Sequence, residues 1–509
     1  MKKQRVRTLR LLGSSSTRGR GRIFAGLCAA VGLCLPSIAT ALTVSVTGPG
    51  QIVSIPAGIT CGNGATTCTA TFVGGTNVLL AAVASPGNGF SSWGGACAGI
   101  DLKCLLSDAT GSVSASFANG PQAMSELSAG DSHTCALTAD GAAECWGFNS
   151  IGQIGNGTTT DAHIPTGVSG LTSGVVAVAA GGTHTCALTS AGAVLCWGSN
   201  GNGQLGASTA PSPYSLVPVA VTGLSPGVVA IAAGFEHTCA LTSGGAVLCW
   251  GSNGNGQLGA STATLPYSLV PVAVTGLTPG VVAIAVGFEH TCALTSGGAV
   301  LCWGANTYGQ LGNNSSTDSH VPFAVSGLTS GVTAISAGAE GYHTCALTSA
   351  GGAQCWGANF YGQLGSTSSL LVPVPVSGLA TGATAIGAGA NHTCASTSAG
   401  AMCWGYDVDG ELGNNTMNNL SNPTPVPVTG LTSGVAAVAA GGDAFGDHSC
   451  ALMADGSARC WGRNANGQLG NNTTIGSPVP VCMNSVIGSS DGGKEFLSGR
   501  RSSPPFSIR

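Results

Sequence analysis

Charge is scarce in this sequence. Lys, Arg, Asp and Glu make up 7% of its 509 residues, against roughly a quarter in an ordinary soluble protein. Such a composition does not suit a coiled coil or a charge-rich disordered chain. Aromatic residues are also few, at 5%. No apolar run approaches the ~20 residues of a membrane helix. Glycine is abundant, at 83 positions, but without the three-residue period of collagen. Many glycines beside plentiful Val, Thr and Ala suit short strands joined by tight turns, so the expected class is all-β.

Basic residues are nearly missing from the body of the chain. Eight of the 15 Lys and Arg lie in the first 22 residues, from Lys2 to Arg22. An apolar stretch from Ile23 to Leu35 follows, then Pro36 and Ala39-Thr40-Ala41. A basic segment, a short apolar one and an A-x-A site read as a cleaved signal peptide over 1–41, which implies a secreted or envelope protein. The apolar stretch is too short to cross a bilayer comfortably, so no membrane insertion is expected after removal of the leader. The remaining chain holds seven basic and 19 acidic residues, a formal net charge of −12. Between residues 124 and 481 only Arg459 and Arg463 are basic, against 15 acidic residues. Nucleic acid, which needs many phosphate contacts from Lys and Arg, is excluded as a main partner.

Cysteine is plentiful, and its spacing reveals a repeat. Fourteen of the 21 cysteines form one pattern: Cys135 with Cys145, Cys186 with Cys196, Cys239 with Cys249, Cys292 with Cys302, Cys345 with Cys355, Cys394 with Cys403 and Cys450 with Cys460. Each first cysteine sits in H-[TS]-C-A and each second in C-W-G. Trp146, Trp197, Trp250, Trp303, Trp356, Trp404 and Trp461 mark seven copies, spaced 48 to 57 residues apart. The third copy reads VVAIAAG-FE-HTCALT-SGG-AVLCWG-SNGNGQLG, then a loop and the Pro-Val segment LVPVAV. Short apolar runs bounded by Gly, Ser, Asn or Pro read as strands. Four per copy, seven times over, predict a seven-bladed β-propeller, with a linear solenoid as the alternative. Opposing Cys135 to Cys145 places a tight turn at Asp140, and opposing Cys394 to Cys403 leaves the loop Ser398-Ala399. Seven intrablade disulfides follow, since opposed strand residues approach closely and an exported chain is oxidised. Zinc is the competing reading, but C-x9-C lacks the usual knuckle spacing.

Residues 42–120 differ in texture and suggest a small all-β module. Cys61 with Cys68 and Cys97 with Cys104 are expected to staple it, since a core of this size is modest. Cys482 is left over. The propeller is expected over 121–482, and the Pro-Ser-rich tail 483–509 is expected to be disordered.

The segment HTCALTSGGAVLCWGSNGNGQLG resembles the repeat of the regulator of chromosome condensation family, through its G-x-x-H, A-L-T, W-G-x-N and G-Q-L-G elements. The resemblance covers about residues 124–481 and implies a seven-bladed propeller used for protein binding. The family includes exchange factors for a small GTPase and secreted bacterial propellers that inhibit β-lactamases. Trp93-Gly94-Gly95-Ala96-Cys97 and Ser112-Val113-Ser114-Ala115-Ser116-Phe117 resemble a bacterial repeat domain similar to internalin B-repeats. Exchange activity is disfavoured here by the leader, the acidic charge and the lack of a wedge-like insertion.

The repeats serve as internal controls on apparent enzyme motifs. Gly223-Leu224-Ser225-Pro226-Gly227 fits G-x-S-x-G, yet the next copy has Gly276-Leu277-Thr278-Pro279-Gly280, so it is a turn. Gly201 to Gly206 fits G-x-G-x-x-G, but no helix is expected after it. His133, His184, His237, His290, His343, His392 and His448 recur sevenfold, which points to a structural role tying strand starts to neighbouring loops. Asp407-Val408-Asp409-Gly410-Glu411 hints at calcium but supplies too few carboxylates. No catalytic residue, metal or cofactor is expected. Informative variation lies in the turn between W-G and G-[QE]-L-G: Phe148, Ile151, Tyr308, Phe360, Tyr361, Tyr406, Asp407, Asp409 and Arg463. Aromatics on loops over a rigid scaffold are typical binding anchors. Tyr214 and Tyr267 repeat between copies and read as structural. The expected function is an exported, monomeric, non-catalytic scaffold for an unidentified protein ligand. A secreted enzyme inhibitor is the alternative; a lyase or hydrolase would require a carboxylate or histidine cluster at the central channel, and the repeats show none.

Overall fold

The computed structural model describes residues 39–483, apart from 63, 86–87, 120–122, 226, 261–264, 278–279, 369–370, 418–420 and 444–445. Residues 1–38 of the expected leader (1–41) and 484–509 of the expected tail (483–509) lie outside the described residues. Among the described residues there are 36 strands and no helix, arranged as nine four-stranded sheets.

The first eight strands are β1 (Ala39–Thr47), β2 (Gly50–Ile55), β3 (Thr60–Gly62), β4 (Thr67–Val73), β5 (Val78–Ala84), β6 (Asn88–Gly95), β7 (Lys103–Leu106) and β8 (Gly111–Asn119). They form two sheets, in the orders β4-β1-β8-β6 and β3-β2-β5-β7. Leu42, Val44 and Val46 alternate into the core between them, as period-two patterning requires. Each disulfide joins the two sheets at an edge: Cys61 on β3 bonds Cys68 on β4, and Cys97 after β6 bonds Cys104 on β7. The staples therefore clamp opposite edges of a sandwich. Strand β1 begins at Ala39, whose neighbours continue the ladder to Phe72 and Thr71. The boundary expected at 42 thus falls inside a strand.

The other 28 strands build seven blades. In the first, β9 (Met124–Ala129) lies innermost, followed outward by β10 (His133–Thr138), β11 (Ala143–Gly147) and β12 (Ala162–Gly167). Blades two to seven span 175–220, 228–273, 281–324, 332–375, 383–427 and 435–482. Every blade uses four consecutive strands, so none is completed by a strand from the far end of the chain.

The two cysteines of each middle hairpin are direct partners across the ladder, and all seven pairs are bonded. Cys135 bonds Cys145 in blade one, Cys186 bonds Cys196 in blade two, and Cys239 bonds Cys249 in blade three. Cys292 bonds Cys302 in blade four, and Cys345 bonds Cys355 in blade five. Cys394 bonds Cys403 in blade six, and Cys450 bonds Cys460 in blade seven. Copy six absorbs its deletion in the two-residue loop closed by the Thr397↔Gly400 pair. Cys482, at the end of the last strand, is a free and exposed thiol.

Neighbouring blades are held by one unit used seven times. Trp197 is fully buried, and its Nε1 donates to the Gln153 carbonyl of the preceding blade at 2.8 Å. Thr185 Oγ1 donates to the same carbonyl at 2.8 Å. Its remaining lone pairs face His133 Nε2 at 2.9 Å. The hydroxyl proton is committed to the carbonyl, so Nε2 carries the imidazole proton. The set closes across the termini, where His448 meets Thr134 and the Gln468 carbonyl accepts from Thr134 and Trp146. The histidines thus tie blade to blade through a strand hydroxyl, not through a loop as the sequence suggested. The G-Q-L-G motif ends in glycine for a matching reason. A Cβ at Gly312, which has φ +63°, would meet the Trp356 ring at 2.9 Å.

Candidate binding face

Strand direction sorts the loops onto two faces. Because strands alternate up and down within a blade, the loops before each His and the turns after each W-G share one face, here the upper. The middle hairpins and the interblade G-L-T-S-G loops share the lower one. The sandwich module sits on the lower face. Phe90 N donates to the Ala139 carbonyl, Asn77 N to Ser243 O and Asn77 Nδ2 to Val281 O. Leu79 and Ala81 on β5 are completely buried, packed with Ile55 against Val176, Val228 and Val281. β5 is therefore buried on both sides, which accounts for its unbroken apolar run.

The inner strands enclose a central cavity of about 420 Å³, walled mainly by Ala, Val and Ile. Glu126 is the one ionisable side chain among its described lining residues. It pairs with Lys103 of the module, and burial pushes it up to about 7.

The upper face carries two aromatic groups. Phe235 stacks on Phe288 at 4.6 Å, Phe288 meets Tyr342 at 4.8 Å, Tyr342 meets Tyr308 at 5.3 Å, and Tyr308 meets Phe360 at 5.1 Å. This arc crosses blades three to five, from the channel mouth outward. Tyr361 and Tyr406 form a separate pair at 4.6 Å. Phe360 and Tyr308 leave 63% and 40% of their surface in solvent. Half-buried Phe148 and Ile151 stand apart on blade one. Tyr214 and Tyr267, read as structural, are also exposed.

The acidic turn of blade six corrects one expectation. Asp407 is buried and does not face outward: it accepts from Thr416 Oγ1 at 2.6 Å and Leu412 N at 3.5 Å. Glu411 accepts from Val408 N and Asp409 N. These carboxylates take over the acceptor roles of Asn306 and Gln310 in blade four. Among the described residues no group of His, Cys, Asp or Glu is arranged to hold a metal ion. Asp409 is half-buried, and Arg463 is bound by Asp443 at 3.2 Å.

Sequence reasoning missed two clusters. His392 differs from its six counterparts because its Nδ1 lies 2.9 Å from Asp447, while its Nε2 lies 2.7 Å from Ser449. The order acid, imidazole, hydroxyl imitates a hydrolase triad. However, all three side chains are fully buried, and Ser449 Oγ lies 3.0 Å from the Glu411 carbonyl, as its threonine counterparts do from theirs. A nucleophile without accessible surface meets no substrate, so this is the blade-to-blade unit with an added carboxylate. The second cluster corrects the expectation that no carboxylates gather at the channel. Asp131, Glu340 and Asp443 converge on its upper mouth from blades one, five and seven, with Ser132 Oγ at 3.3 Å from both Asp131 and Asp443. Burial, with the Glu340 and Asp443 charges, pushes Asp131 up to about 9. Burial, with Asp443, pushes Glu340 up to about 7. Tyr342 beside them rises to about 12, mainly by burial.

Fold and repeat unit together define a disulfide-bonded seven-bladed propeller with interblade His–Thr–Gln–Trp contacts. Residues 91–446 match the RCC1-like domain, and 435–468 and 455–491 match the regulator of chromosome condensation (RCC1) repeat. The chain belongs to the RCC1-like family. It is 33% identical to the ultraviolet-B receptor UVR8 of Arabidopsis thaliana over 72% of this chain and 83% of that protein. It is 34% identical to the mitochondrial RCC1 domain-containing protein RUG3 of the same plant, over 48% of this chain and 56% of RUG3. Among solved structures, yeast RCC1 (Prp20) bound to Kap60 superposes with a TM-score of 0.60 at 22% identity, covering 72% of this chain and 85% of that one. Human WBSCR16 gives 0.59 at 22% identity, covering 68% and 94%.

Proposed function

We propose that this protein is an exported, non-catalytic scaffold that binds a protein partner on the upper face of its propeller. The observation that carries this reading is the division of labour between the faces. The module covers part of the lower face, while the upper face presents a continuous aromatic arc over a rigid, disulfide-bonded frame. Rings presented this way offer large contact area with little conformational entropy to lose. Yeast RCC1 is a related propeller seen bound to a protein, Kap60, and a second structure of Prp20p is described with its binding to Gsp1p and histones. The basic, then apolar N-terminal segment and the disulfides of both β units suit an oxidising compartment.

The test is capture of partners from extracellular and surface extracts by oxidised 39–509. A companion protein carries Tyr308→Ala, Phe360→Ala, Tyr361→Ala and Tyr406→Ala. A partner held by the first and lost by the second, with equal circular dichroism and melting, is the expected result. Retention by both would remove the aromatic face from the function.

A further inference from the structure

We infer that the upper mouth of the central channel receives a cationic side chain, arginine or lysine, of a peptide segment in the partner, seated between the Phe288–Tyr342 rings and the Asp131, Glu340 and Asp443 carboxylates. The inference rests on the protein-binding reading above and specifies the chemistry of the partner.

The site is a cavity of about 470 Å³ whose lining includes Asp131, Phe235, Phe288, Glu340, Tyr342 and Asp443. Aromatic faces attract cations through their quadrupole, and carboxylates do so through charge, so this lining combines two groups with the same preference. No basic side chain lines the cavity among the described residues. Arg463, which is not among the lining residues, is already bound to Asp443. Asp131 and Glu340 are instead held partly protonated by burial and by repulsion from neighbouring carboxylates, Glu340 and Asp443 acting on Asp131 and Asp443 on Glu340. An incoming guanidinium or ammonium relieves that repulsion, which gives the site a reason to prefer a cation over a neutral group. The arc continues outward to Tyr308 and Phe360, which offers an apolar footing for residues flanking the cation. The favoured segment is therefore a basic residue followed by apolar ones.

The probe is an acetylated, amidated tetra-arginine peptide, titrated calorimetrically into 39–509 at about pH 8 and low salt, where charge attraction is least screened. Its citrulline counterpart keeps the shape and lacks the charge. We expect the citrulline peptide to bind about tenfold more weakly or not at all. Asp131→Asn with Glu340→Gln should weaken tetra-arginine binding about tenfold, and Phe288→Ala with Tyr342→Ala about fivefold. Asp108→Asn with Glu144→Gln makes the same two kinds of substitution away from the mouth and should leave affinity within about twofold. Absent binding, equal loss in that substitution-matched control, or equal binding of the citrulline peptide would each overturn the inference. So would preferential binding of an uncharged oligosaccharide at the same residues. If a captured partner is lost by the four aromatic substitutions but kept by Asp131→Asn with Glu340→Gln, the cation site fails and the binding face stands. If no upper-face variant affects capture, the broader reading fails as well.

Discussion

His133, His184, His237, His290, His343 and His448 are fully buried, and burial holds each down to about 3 or 4. Each uses Nε2 to reach a threonine of the next blade. Protonating Nδ1 would place a charge in an apolar layer, and among the described residues these six Nδ1 atoms have no hydrogen-bond partner. Their folded pKa values lie below the unfolded one, so their contribution to stability is complete above about pH 6.5 and is lost as pH falls. The loss runs from about pH 6.5 down to the folded value of each histidine, about 3 or 4. The mouth carboxylates act in the opposite direction. Raised in the fold, they contribute stability below about pH 4 that is lost as pH rises through about 7 for Glu340 and about 9 for Asp131. Thermal unfolding should therefore be most resistant near neutral pH and should weaken steeply between about pH 6.5 and 5. Asp131→Asn should raise the melting temperature by more at pH 9 than at pH 5. A flat profile on the acid side would contradict buried, neutral histidines.

At the scale of elements, the hairpin is the unit that the sequence announces. H-T-C-A and C-W-G place two cysteines on opposed strands with Cα atoms 4.1 Å apart, and the intervening turn sets the register. Replacing Cys292 and Cys302 by Ala should destabilise the oxidised protein by about 2–3 kcal/mol, the loop-closure value for a ten-residue separation. Denaturant unfolding with and without reductant measures this. The turn after W-G was equally legible, because its variation stands out against repeated neighbours. The loop before each histidine is less conspicuous, although Phe235-Glu236 and Phe288-Glu289 occupy it. Alternating strand direction puts both loops on one face, so the inner half of the aromatic arc was available from topology. Asp407 departs from its expected exposure for a different reason. A carboxylate and an amide share the acceptor oxygen that a turn needs, so an acidic residue in an Asn position is first a turn residue.

At the scale of the molecule, two β units are joined through one apolar surface. Val176, Val228 and Val281 lie in the first two residues of inner strands of successive blades and meet Ile55, Leu79 and Ala81 of the sandwich. Leu79→Asp with Ala81→Asp would bury unpaired charge at this contact while leaving the sandwich interior, held by Val78, Leu80 and Ala82, in place. The expected result is a sandwich released from the lower face, seen as a larger radius of gyration in solution scattering and new protease cleavage between residues 117 and 124. Unchanged scattering and cleavage would show that the contact does not hold the units together.

The repeat, the strand count, the seven hairpin disulfides and the class of fold follow from the sequence alone, because they depend on residues close together in one copy. The location of Asp131, Glu340 and Asp443 at one mouth does not. They come from non-equivalent copies, and only closure of the ring brings blades one, five and seven around a single axis. The burial of β5 on both sides is decided at the same level, since an apolar run does not say which surface will cover its second face. Local pattern sets the blade, and long-range packing chooses which blades and which faces share a site.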